Sequence, residues 1–180
     1  MMSNGLFMTK LFSRLIAYGC VAVLITAPLI AVYFLINIDQ FADITKNNSR
    51  LPIQWQTVID IQWYGFWLLT ALYFSIGLVG FYFLRRAFAN FAKGQLFNFS
   101  NSRDLRMFSI LLFAQAIAKP LLFLLSSILL SINHPAGQIM LSVSFGSDEV
   151  KVIALAMILW VMSDLLVRGS KLERENKQFV

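Results

Sequence analysis

A polytopic, all-α membrane protein with four transmembrane helices arranged as two hairpins is the fold this sequence predicts. Three observations predict it: the apolar content, the regular return of apolar runs long enough to cross a bilayer, and the placement of the positive charges. The 180 residues are 58% hydrophobic and only 13% charged, with a mean hydropathy of +0.70. So few charged residues cannot coat a water-soluble body of this size, whereas lipid removes the need for a polar shell.

A helix needs about 20 apolar residues to cross a hydrocarbon core of roughly 30 Å. Four runs of that order occur, at about 15–36, 64–84, 107–132 and 150–167. Each is apolar on all sides rather than along one stripe, as a lipid-embedded helix is. Strand-like alternation is not expected anywhere, and no linker composition divides the chain, so residues 1–180 read as one domain. The first run is too long for a signal peptide and lacks a small-x-small cleavage site, so it is expected to be retained.

Positive charge near span ends stays on the cytoplasmic side. Lys10 and Arg14 precede the first run. Arg85, Arg86, Lys93, Arg103 and Arg106 lie between the second and third, and Arg168, Lys171, Arg174 and Lys177 follow the fourth. The other two connections hold only Lys46, Arg50 and Lys151. This asymmetry predicts both termini and the middle loop inside, in a cell (inner) membrane. Trp55, Trp63, Tyr64 and Trp67 gather where the first loop enters the second run, as interfacial anchors do.

Within the middle loop, Leu84, Phe88 and Phe91 fall at helical spacing while Arg85, Arg86 and Lys93 occupy other faces. The pattern predicts an interfacial helix along the membrane surface, stopped by Gly94. The Ser100-Asn101-Ser102 cluster, with Asp104 beyond, is expected to cap the third helix.

Lys119 is the one basic residue in the middle of a span, and Pro120 follows it. A lysine at the bilayer centre costs roughly 2.5–3.5 kcal/mol, so it must face the bundle, snorkel, lose its proton or find a partner. It is the candidate intramembrane functional residue. Carbonyls near Gln115 and Ala116, freed by the proline, are candidate acceptors for it. Asp164 is expected to pair instead with Arg168 or with the basic middle loop. Ala71, Ser75, Gly77 and Gly80 in the second helix, and Ala114 and Ala118 in the third, mark faces where helices could approach closely.

The inventory argues against catalysis. Cys20 is the sole cysteine and His134 the sole histidine, so neither a disulfide nor a Cys- or His-built metal, haem or triad site can form within one chain. No phosphate-binding glycine loop is present. The expectation is a non-enzyme with no catalytic, metal-binding or cofactor-binding residues and no cofactor. The net charge of +6 lies between apolar runs, so direct nucleic-acid binding is not expected. The basic segments, chiefly Arg85, Arg86, Lys93, Arg103, Arg106, Arg168, Lys171 and Arg174, are candidate contacts for lipid or a cytoplasmic partner.

The stretch Gly94-Gln95-Leu96-Phe97, followed by Asn101, Leu105 and Arg106, and the ending Lys171-Leu172-Glu173-Arg174-Glu175-Asn176 resemble bacterial membrane proteins grouped as domain of unknown function 2975. Gly94, Phe97, Leu105, Leu172, Glu175 and Asn176 carry the resemblance, chiefly over the half of the chain from Arg85 onward. Phe99 to Ser102 and Gln178-Phe179 depart from the family pattern. The resemblance implies a four-span fold and, because members often stand beside small Cro-like helix-turn-helix regulators, a membrane partner for such a regulator. Two functions follow as expectations: a sensory or regulatory protein whose basic arms hold a cytoplasmic partner, or a small transporter or channel subunit using Lys119 in a homo-oligomeric pathway.

Overall fold

The computed structural model describes residues 2–49, 53–95, 98–135 and 138–178, with side chains described from Phe7 to Lys171 within those ranges. Five α-helices form: α1 (Met2–Ile36), α2 (Ile38–Asn48), α3 (Asp60–Ala92), α4 (Phe99–Ser131) and α5 (Ser147–Gln178). A single 3-10 turn, Trp55–Thr57, precedes α3. No β-strand occurs among the described residues. Helices α1, α3, α4 and α5 are each long and apolar enough to cross a membrane, so this is a multi-pass membrane protein.

The four long helices lie in an open row in chain order, with α3 packed on both α1 and α4, and α4 on both α3 and α5. Small residues let the central pair approach. A Cβ on Gly77 would stand 2.9 Å from the Gln115 amide, and one on Gly80 3.3 Å from the Phe108 ring, so both glycines serve the α3–α4 contact expected of them. Gly65 does the same against Leu129. On α4 the buried alanine is Ala116, while Ala114 is exposed; Ser75 is also exposed and bonds within its own helix.

Several elements differ from the expectations. The middle loop contains no separate interfacial helix: α3 runs unbroken from Asp60 through Arg85 and Arg86 to Ala92. Nothing in Leu84–Ala92 breaks a helix, so the span simply continues. Its end is the one expected. Gly94 adopts φ +81°, its N–H bonds Phe91 O, and the Gln95 N–H reaches back to Asn90 O, a Schellman closure that only glycine enters without strain. The cap of α4 is Asn98, whose side chain accepts the Ser100 N–H at 3.1 Å, rather than the Ser100-Asn101-Ser102 cluster. Asn101 is fully buried and turned inward, where it bonds Asn90 and the Gln95 carbonyl.

The first connection holds α2, which packs Ala42 with Ile53, Trp63 and Leu130 into an outer core. Trp63 is buried there and stacks on Trp55 at 5.9 Å, and the Trp67 indole donates to Ala31 O. Of the four aromatic residues expected as interfacial anchors, these three therefore also hold α1, α2 and α3 together, while Tyr64 stays exposed.

Replacing Gly94 by Ala is expected to lower stability by about 1–2 kcal/mol, because an L side chain must then enter the left-handed region. Gly19→Ala, where nothing lies within 4 Å, is expected to be neutral or slightly stabilising. Reversible unfolding in mixed micelles measures both, and equal losses at the two sites would contradict the Schellman assignment.

Candidate functional site

Depth along the row follows from side-chain contacts. Trp67 meets Ala31, and the Gln62 amide donates to Leu129 O at 2.6 Å. The same Gln62 accepts the Ile59 N–H and the Asn133 side chain. The ends of α1 and α4 and the start of α3 are thus level, where the aromatic residues expected at one face of the hydrophobic layer gather. Lys119 lies ten residues before Leu129, or about 15 Å deeper at a helical rise of 1.5 Å per residue. That is half of a core of roughly 30 Å.

At this depth Lys119 does not turn back to the carbonyls near Pro120, and α4 passes through the proline to Ser131 without interruption. Its Nζ forms an ion pair with Glu149 Oε1. Glu149 is 4% exposed and sits in the first turn of α5. Its other oxygen accepts the Gly146 N–H at 2.7 Å, as a glutamate does when it reaches back to close a helix start. Helix α5 therefore begins beside Lys119, about 15 Å along α4 from the level at which α4 ends.

Extended chain leads from α4 into α5. Residues 138–146 run down the flank of α4, where Ser131 Oγ accepts the Met140 N–H at 2.9 Å and Ser127 Oγ accepts the Ser142 N–H at 3.0 Å. Ile139, Leu141, Val143 and Phe145 point outward and are all exposed. Non-helical backbone at membrane depth needs protein partners for its polar groups, and the two serines supply them on one edge. Ile139, Leu141, Val143 and Phe145 alternate along this segment, which forms no β-strand, and α5 beyond it is by itself long and apolar enough to cross a membrane.

Lys119 and Tyr73 are shared by two adjoining spaces. One is a cavity of about 220 Å³ lined also by Gln115, Ala116, Asp148 and Glu149. The other is a groove of about 410 Å³, mostly apolar, between α2, α3 and α4. Lys119 is 48% exposed. Gly77 belongs to this site as much as to packing, since any larger residue there displaces Gln115.

A second polar layer lies at the other ends of α3, α4 and α5. Ser102 Oγ donates to Ser163 O at 2.8 Å and Ser163 Oγ donates to Ser102 O at 2.9 Å, which locks α4 to α5. Asp104 is fully buried with Arg86 Nε 3.2 Å from its Oδ2. The approach is not aligned as a hydrogen bond, and neither carboxylate oxygen has a hydrogen-bond partner among the described residues. The Arg106 guanidinium lies 4.4 Å above the Trp160 ring. Asp164 is exposed and forms no ion pair with Arg168 or with the middle basic residues; the acid those residues engage is Asp104.

Of the basic residues singled out from sequence, Arg86 is engaged by Asp104 and Arg106, though exposed, lies over Trp160, whereas Arg85, Lys93, Arg103, Arg168 and Lys171 are exposed without such a contact among the described residues. Arg174 and the motif residues Leu172, Glu175 and Asn176 lie on α5 with side chains outside the described set, and Phe97 lies outside the described residues. Leu105 is buried. Sequence reasoning missed Glu149, placing it in a loop, and missed Ser127 and Ser131. His134, the sole histidine, accepts the Gln54 N–H through Nε2 at 3.1 Å and ties the chain before α3 to the chain after α4.

Removing both serine acceptors, Ser127→Ala with Ser131→Ala, is expected to raise amide hydrogen exchange at Met140 and Ser142 at least tenfold and to cost about 1–3 kcal/mol per lost partner. Ser109→Ala, which removes a buried hydroxyl without a hydrogen bond, is expected to be nearly neutral. Unchanged exchange at residues 140 and 142 would contradict the serine assignment.

No curated protein and no solved structure matches this sequence. The profile of the family described as Protein of unknown function (DUF2975) matches residues 8–180, well beyond the half of the chain in which its motifs are legible. By that match over nearly its whole length, this multi-pass membrane protein belongs to that family of unknown function.

Proposed function

We propose that this protein is a sensory or regulatory component of the cell (inner) membrane, with both termini and the middle loop in the cytoplasm, which holds and releases a small cytoplasmic transcription regulator. One observation carries the reading: the ion pair at Lys119 and the basic C-terminal arm are attached to the same continuous helix, α5. Whatever loosens Glu149 from Lys119 frees the mid-membrane start of a helix whose other end carries Arg168 and Lys171. A change at half depth is thereby transmitted along one rigid element, and differential affinity for two packings of α5 suffices to shift the partner's release. The orientation rests on the lysine and arginine distribution. The exposed Arg85, Lys93, Arg103, Arg168 and Lys171 form the basic surface that the partner meets, and the role is one of binding rather than catalysis.

Cross-linking in native membranes, followed by capture of the tagged full chain, tests this reading. A small helix-turn-helix regulator is expected with the intact protein, to be lost when the tail after Arg168 is removed, and to change several-fold in amount in Lys119→Met and Glu149→Gln. Recovery of no regulator, or equal recovery from all four proteins, would sink it.

A second reading, a transporter or channel subunit, draws support from the exposed half of Lys119 and from the open row of helices, which needs further copies to enclose a path. Flux lost in a Lys119→Met protein that still assembles would favour it, and unaltered flux would exclude it.

A further inference from the structure

The groove and the cavity that meet at Tyr73 and Lys119 differ in character. The groove is walled by Phe66, Phe74, Leu122, Phe123 and Leu130, and runs from Lys119 toward the outer end of α4. The cavity at its foot gathers a tyrosine, a glutamine, a lysine and two carboxylates. An apolar channel ending in a small polar chamber has the form of a single-chain amphiphile, and each space is of small-molecule scale.

Two further observations point to an occupant. The ammonium of Lys119 has three donors, and Glu149 is the only hydrogen-bond or ion-pair partner it has among the described residues. Ser126 stands seven residues further along the same face of α4, about 10 Å away; it lines the groove, is 3% exposed, and its hydroxyl makes no hydrogen bond. Two donors at the foot and a buried hydroxyl in the wall are left for a ligand.

The charges in the chamber select its class. Lys119 is balanced by Glu149, and Asp148 by Lys151 at 3.0 Å. A ligand with a net charge would add an uncompensated charge at half depth, where even one costs heavily. A neutral head with carbonyl or hydroxyl acceptors meets the free donors without that cost.

We propose that this composite site binds a neutral single-chain amphiphile, with its acyl chain in the groove beside Ser126 and its carbonyl- or hydroxyl-bearing head against Lys119 and Tyr73. The inference deepens the sensory reading, and rests on it only for the consequence of binding. Head and ion pair share Lys119, so occupancy weakens the hold of Glu149 on α4.

The test uses the full chain in lipid nanodiscs with 1-decanoylglycerol carrying a photoreactive diazirine in its acyl chain, the adducts being mapped by mass spectrometry. Adducts are expected within Phe66–Phe74 and Leu122–Leu130, to fall at least tenfold with excess unlabelled 1-decanoylglycerol, and to be largely insensitive to decanoate or dodecane. Lys119→Met is expected to weaken labelling about tenfold. The milder Tyr73→Phe, which leaves the ion pair and the helix intact and removes only the hydroxyl beside the head, is expected to weaken it several-fold. Equal competition by dodecane would reduce the site to apolar filling, and equal competition by decanoate would make it an anion site. Either result, or adducts spread evenly over the exposed face of α1, would overturn the proposal. Specific labelling without any change in captured regulator would leave the site standing and refute the sensory reading.

Discussion

The ion pair between Lys119 and Glu149 sets the geometry of everything that follows it in the chain. A lysine near the centre of a bilayer needs compensation, and here the compensation comes from the first turn of the last helix. To bring Glu149 to that depth, the chain leaving α4 must travel about half the membrane before it can become helical. Helical backbone would satisfy itself on the way, but residues 138–146 are extended and depend on α4 for acceptors. The pair, the serines and the late start of α5 are therefore one arrangement. Its cost is a stretch of backbone in lipid, and its gain is a helix whose beginning can be addressed from within the membrane.

The other polar layer is complementary. Ser102 and Ser163 exchange hydrogen bonds across the α4–α5 contact, and Asp104 holds Arg86 where α3 passes α4. Reciprocal bonds from small side chains allow close helix approach and fix the rotation of α5 about α4. One end of α5 is thus pinned by short neutral contacts and the other by a single ion pair with a half-exposed lysine. The second attachment is the more readily perturbed, since a single ion pair to a half-exposed lysine holds it. The open row of helices matters for the same reason: α5 has one principal neighbour, α4, so its position depends on few contacts.

The architecture was legible because lipid imposes a length and an all-round apolarity that a linear scan detects. The four crossings, the closure at Gly94, the close approach at Gly77 and Gly80 and the family all emerged from local pattern. What escaped was non-local. Glu149 lies thirty residues from Lys119 in a segment rich in serine and acid, and hydropathy alone places such a segment outside the membrane. Ser127 and Ser131 look like filler in an apolar helix until the backbone they bond is known. The alternation of Ile139, Leu141, Val143 and Phe145 was a usable signal, masked by its short length. The amphipathic spacing of Ile38, Phe41, Ala42 and Thr45 likewise announced α2. Asp164 misled because proximity in sequence favoured Arg168, whereas burial singles out Asp104.

Depth measurement by nitroxide labels tests the mid-membrane start of α5 most directly. Cysteines would be placed, in a Cys20→Ser background, at the exposed positions Ile36, Leu121 and Val150, and spin labels on them read by collision with oxygen and with a water-soluble nickel chelate in bilayers. A label at Val150 matching the deep label at Leu121, and clearly deeper than that at Ile36, is the predicted result. A label at Val150 as accessible to the nickel chelate as that at Ile36 would place the start of α5 at the membrane surface and contradict the account.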